Sequence, residues 1–196
     1  MLAMRLSELL VLGSMLFVSG ILGAQDHSSG PKIYPAAMSM DYNPLLWQDD
    51  DAQFARDMLH SSYCTAELSK AVAVNTQNSA VQSLALSIAD EQKKIFRQLR
   101  SMARTLYFPL PHKRDLENCP AASRVAELSG QEMDSAYVAL LLTSTAENVS
   151  RFEAEVARPR SPSNWSLWKF AEKGLAVMRG EETAAKDVQR AIPTQK

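Results

Sequence analysis

The sequence predicts an all-α protein, an up-down four-helix bundle that follows a leader and a linker. Three observations carry this expectation. Through the segment 75–102, apolar Val81, Leu84, Ile88, Ile95, Leu99 and Met102 recur at gaps of three, four or seven, along one side of a helix. Four such segments of roughly 25 residues are separated by turn-forming Asn, Gly, Pro and Ser, so rods of similar length follow at about 1.5 Å per residue. No β-hairpin signal appears in the chain. A coiled coil fits less well, because the seams are not strict heptads and the turns contain proline.

The first 24 residues have the layout of a secretory signal peptide. Arg5 supplies the positive charge, Leu9 to Leu22 the apolar stretch, and Gly20, Gly23 and Ala24 the small residues before a cut after Ala24. Glu8, and Leu22 three places before the cut, are atypical of such a leader. The apolar stretch is shorter than the ~20 residues a bilayer span requires, which weighs against an uncleaved anchor. No cysteine lies near the cut, so a lipoprotein is not indicated. Residues 25–49 carry Gly30, Pro31, Pro35 and Pro44 without periodicity, and are expected to be a flexible linker with a local contact at Leu45, Leu46 and Trp47.

The bundle domain is expected over 50–192. Asp49, Asp50 and Asp51 place negative charge at the start of helix one, where the helix dipole favours it. That helix runs to about 75, with Phe54, Met58, Ser61, Thr65, Leu68 and Val72 inward. Asn78 caps helix two, about 79–106. The loop FPLPHKRDLENCP has three prolines and is not expected to continue a helix. A short helix follows over 121–128, Ser129-Gly130 breaks it, and helix three covers about 131–157. Pro159, Ser161, Pro162 and Ser163 form the turn into helix four, about 164–190.

Composition bounds the chemistry. A formal charge of −1 offers no electrostatic footprint for nucleic acid. Lys93, Lys94, Arg97, Arg100 and Arg104 form a basic stripe, read as the solvated face of helix two. No Gly-x-Ser-x-Gly, Gly-rich phosphate loop or Cys-x-x-Cys is present, so no catalytic residue is assigned. Asn148-Val149-Ser150 and Asn164-Trp165-Ser166 match the glycosylation triplet; the first falls in a helix interior, where the match is read as chance, and neither is expected to be used in a bacterial envelope protein. Trp165 and Trp168 either close the end of the bundle or expose a docking patch. Two cysteines, Cys64 and Cys119, remain after the leader. In an oxidising compartment they would form a bridge; otherwise Cys64 is a small core residue and Cys119 a spare thiol.

The segments AELSKAVAVNTQNSAVQSLALSIADEQKKIFRQL, LSGQEMDSAYVALLLTSTAENVSRFEAE and WKFAEKGLAVMRGEETAAKDV resemble family 4142 of the domains of unknown function, over about residues 52–190. The resemblance implies a ferritin-like fold in an extracytoplasmic bacterial protein. The family pattern's usual histidines fall on Glu91, Thr145 and Glu181, a helix-one glutamate on Thr65, and a proline on Ala176. Histidine chemistry carried by relatives at those positions is therefore missing here.

Ferritin-like di-metal sites need Glu on two helices and Glu-x-x-His on the other two, and this chain has no Glu-x-x-His. Inward-leaning Glu91 with Glu147, Glu181 and Glu182 would be the carboxylates able to hold iron, manganese or zinc. The alternative is that each sits at the seam's edge, reaching water or pairing with Lys94, Arg151 or Arg179. The leading functional expectation is an exported, non-catalytic protein of the periplasm or cell envelope. It would act by contact with an unknown envelope partner, without nucleic acid, cofactor or a membrane span after leader removal. A carboxylate-rich metal-binding or redox protein is the second.

Overall fold

The computed structural model describes residues 49–106 and 108–192. The leader expected over 1–24 and the linker expected over 25–49 lie outside the described residues, except for Asp49, which is the first residue of the first helix. Everything described is helix or short connection, with no strand. The helices are α1 (Asp49–Asn75), α2 (Ser79–Leu106), α3 (Lys113–Glu117), α4 (Pro120–Ala126), α5 (Gly130–Ala157) and α6 (Trp165–Ala191). The four long helices match the expected segments to within a residue or two. None among the described residues is long and apolar enough to cross a membrane.

Local chemistry sets the boundaries. Asn78 caps α2: its Oδ1 accepts from the backbone N–H of Ala80 at 3.0 Å and of Val81 at 3.3 Å. Thr76 Oγ1, in the same turn, accepts from the Asn78 N–H at 3.0 Å and donates to buried Asp134 on α5 at 2.6 Å. Gly130 opens α5 with φ 57°, a conformation that L side chains rarely adopt. Before α6, Asn164 accepts from the Ser161 N–H and donates to the Pro159 carbonyl, closing the Pro-rich turn. The loop after α2 departs from expectation. Between Pro111 and Pro120 it carries no proline, and the five residues Lys113–Glu117 form a helical turn, α3, before Pro120 opens α4. Proline suits that first helical position, where its missing N–H costs nothing.

Two apolar clusters make the core. The first takes Phe54, Met58 and Leu59 from the start of α1, Ile95 and Leu99 from the second half of α2, Phe152 from late α5, and Leu167, Phe170 and Met178 from early α6. The second takes the opposite portions: Leu68 and Val72, Val81 to Ile88, Met133 to Leu141, and Ala185. Between the two contributions each long helix buries a polar side chain: Ser62, Gln92, Thr145 and Glu181.

The inward face of α1 differs in part from expectation. Phe54, Met58, Leu68 and Val72 are buried, whereas Ser61 and Thr65 are only half-buried. Ser62, Ala66 and Ser69 take the interior instead. Small residues let α1 lie close to its neighbours, so hydropathy alone misplaces them; Ser69 meets the Tyr137 hydroxyl at 2.9 Å, whereas the Ser62 hydroxyl has no hydrogen-bond partner among the described residues. The basic stripe Lys93, Lys94, Arg97, Arg100 and Arg104 is exposed, as expected of a solvated face. Trp168 is buried and donates its Nε1–H to the Val156 carbonyl at 3.0 Å. Trp165 stacks on it and stays 43% exposed, so one indole closes the layer and the other faces water. The asparagines of both glycosylation triplets, Asn148 and Asn164, are buried.

Candidate functional site

The polar waist between the two clusters is where carboxylate chemistry was expected. Its geometry follows from a one-residue rotation about α2. Gln92, not Glu91, points inward, at 1% exposure. Glu91 sits at the seam's edge and pairs with Lys94 at 2.6 Å. Glu147 is exposed and pairs with Arg151 at 3.5 Å. Glu182 pairs with Lys186 at 2.6 Å. Glu181 alone of the four is in the interior, accepting from Gln92 Nε2 at 2.7 Å. Arg179, an expected partner, reaches Glu153 at 2.8 Å instead. Among the described residues, no group of three or more His, Cys, Asp or Glu ligand atoms within 4.8 Å of one another includes any of these four carboxylates.

Burial pushes the Glu181 carboxyl up to about 8, against the Gln92 hydrogen bond that lowers it and with the help of the Glu91 charge that raises it. It is therefore largely a neutral acid at pH 7. Its Oε1 and the Gln92 Oε1 are buried without a hydrogen-bond partner among the described residues. Nearby, Tyr137 shares a 2.9 Å hydrogen bond with Ser69, and burial raises its phenol. A second buried carboxylate, Glu155, escaped the sequence reading. Burial and the Asp51 charge push it up to about 7, opposed by Arg158. Arg158 holds Asp51 at 2.8 Å and Glu155 at 3.4 Å.

The cysteines are brought together. Cys64 and Cys119 form a disulfide with Cα atoms 5.6 Å apart, across a separation of 55 residues. Closing a loop of that length stabilises by about 4 kcal/mol on the chain-entropy estimate. It ties the start of α4 to the middle of α1, and α3 packs on α1 beside it. The Leu116 carbonyl oxygen lies 3.5 Å from Cys119 Sγ and 3.8 Å from Cys64 Sγ. His60, one turn before Cys64, donates Nε2–H to the Asn118 carbonyl at 2.9 Å and sits 3.5 Å from Cys64 Sγ. The i, i+4 spacing of His60 and Cys64 was readable as a shared helix face, and the bridge to Cys119 as one of two alternatives; that the bridge closes against His60 was not.

This bridge walls a groove of about 440 Å³ between α1, α5 and the α4 segment. The volume falls within the range of small-molecule sites. Leu68, Leu140, Leu141 and Pro120 give it an apolar lining. Its polar end holds Asp57, Glu147 and Arg151, two carboxylates around one guanidinium, at 4.0 and 3.5 Å. Asn148 supports that end, donating to Ser61 at 2.9 Å and accepting from Arg151 at 3.2 Å.

A helical domain with a disulfide-pinned segment and a half-open groove is a class of architecture rather than an activity. The chain belongs to the family described as a domain of unknown function, DUF4142, whose model matches residues 37–188. The match begins before α1, inside the stretch read as linker. No curated protein and no solved structure matches the chain.

Proposed function

We propose that this chain is an exported, non-catalytic protein of the periplasm or cell envelope, built as an up-down four-helix bundle, that acts by holding a partner in the groove beside its disulfide. The observation that carries this is the Cys64–Cys119 bridge. Such bridges persist in oxidising compartments, in keeping with the signal-like leader. The same bridge gives the groove its wall. The bundle topology is supported by the way the two apolar clusters draw on opposite halves of successive long helices. The groove's apolar lining with a polar end suits a hydrophobic side chain or small molecule carrying one basic group.

Site-specific photocrosslinking in native envelope fractions tests the reading. A crosslinker at Thr143, on the groove, should capture a discrete partner, and one at Lys93, on the exposed face of α2, should not. Fractionation with thiol alkylation tests the address. Two free thiols in a cytoplasmic fraction would overturn it. An iron, manganese or zinc centre on Glu91, Glu147, Glu181 and Glu182 is the weaker alternative, since three of these are already ion-paired to lysine or arginine. Elemental analysis of the purified protein distinguishes the two.

A further inference from the structure

We infer that His60, Cys64 and Cys119 form a redox-gated zinc site, closed as a disulfide and opened to metal when the bridge is reduced. The ligand atoms of all three lie within 4.8 Å of one another, and they are the one such group of His, Cys, Asp and Glu among the described residues. All three are half-buried and line the groove, so an ion could reach them.

The separations suit a tetrahedral ion. With Zn–S of about 2.3 Å and Zn–N of about 2.0 Å, the S···N edge of the tetrahedron is about 3.5 Å. His60 Nε2 already stands 3.5 Å from Cys64 Sγ. The S···S edge is about 3.8 Å, close to the distance at which two unbonded thiols come to rest once the bridge opens. The Cα separation of 5.6 Å therefore serves both states without backbone movement. Two thiolates and a neutral imidazole are a soft-to-borderline donor set that zinc favours over magnesium or calcium, and two thiolates neutralise its charge. Three protein ligands leave a fourth position for water or a groove-bound ligand, the pattern of an open zinc site.

The chemistry balances. A dithiol reductant gives two electrons and two protons; it becomes a disulfide as Cys64 and Cys119 become thiols. Zinc then displaces both thiol protons. His60 gives up its Nε2–H bond to Asn118, loses that proton to solvent as Nδ1 takes one up, and binds the metal through Nε2 as the neutral Nδ1–H tautomer. The ion takes over the bridge's mechanical role, holding α3 and α4 against α1. The inference shares the bridge with the proposed function but needs no groove partner, so failed zinc uptake and failed crosslinking at the groove are distinguishable outcomes.

The test uses the purified full chain, reduced with a dithiol and desalted without oxygen. Zinc is titrated in competition with a chromophoric chelator, Co²⁺ binding is followed by absorbance, and helix content by circular dichroism. One equivalent of zinc per reduced chain is expected, with none taken by the oxidised chain. Cobalt should show thiolate-to-metal charge transfer and the visible bands of a tetrahedral ion. His60→Ala should weaken zinc by at least about tenfold, since even outer-shell changes cost that much. Cys119→Ser should remove the charge-transfer band's second thiolate and most of the affinity. Zinc should also restore protection of 108–120 from protease after reduction. The idea is overturned by uptake below half an equivalent, by affinity unchanged in His60→Ala, or by loss of helix on reduction before zinc is added.

Discussion

The two apolar clusters are built differently. The first is aromatic: Phe54 meets Phe152 edge-on, with ring centroids 5.2 Å apart at 86°, and Phe170 lies 5.8 Å from Phe152. The second is aliphatic, with Leu68, Val72, Val81, Leu84, Ile88, Val138 and Leu141 around a single ring, Tyr137, whose hydroxyl is answered by Ser69. Rings fix their neighbours' geometry, and the first cluster needs a bare backbone to admit one. A Cβ at Gly174 would stand 2.3 Å from Phe152 Cε1. The second has no such constraint and tolerates branched residues in a continuous seam. One end of the molecule is thus specified by shape, the other by hydropathy, and the polar waist separates them.

Charge placed in the aliphatic cluster should have the largest effect. Ile88→Asp buries an unpaired carboxylate at a residue 2% exposed, and is expected to cost about 4 kcal/mol or more, read as a fall in the urea midpoint. Survival of the fold with a small shift would show that this cluster is loose.

A subtler change should hurt the aromatic cluster. Gly174→Ala forces Phe152, fully buried, out of its rotamer, at about 1–3 kcal/mol. Gly180→Ala, six residues on with nothing within 4 Å of the added carbon, should instead stabilise by about 0.5–1 kcal/mol. If both glycines respond alike, shape is not what distinguishes the clusters.

Two buried carboxyls, Glu181 at the waist and Glu155 in the last turn of α5, should give the pH dependence. Folding raises Glu181 from 4.5 to about 8 and Glu155 from 4.5 to about 7, so the folded state binds protons more tightly than the unfolded chain. Their contribution is greatest below pH 4.5 and is lost as pH rises through about 7 and 8. Glu181→Gln keeps the shape without the titration, and should flatten the upper part of that loss in denaturation midpoints measured from pH 5 to pH 9. An unchanged slope would place the titration elsewhere. The smallest effect is expected at Lys93→Asp on the exposed face of α2, within about 0.5 kcal/mol, and a calorimetric melt checks it.

The sequence by itself determined the four long helices, because periodicity and turn residues act over distances of a few residues along one chain. It also offered the cysteine pair, since two cysteines allow a single bridge, and left open whether they join. Only the tertiary structure decided what required distance between elements. It turned Gln92 inward and Glu91 to Lys94, because a rotation of one position on a helix is invisible to an apolar stripe that both flank. It buried Glu155 beside Asp51 and Arg158, a cluster assembled from two helices far apart in sequence. It also set His60 against the sulfurs and opened the groove beside them, since neither a ligand set nor a cavity exists until separate helices pack.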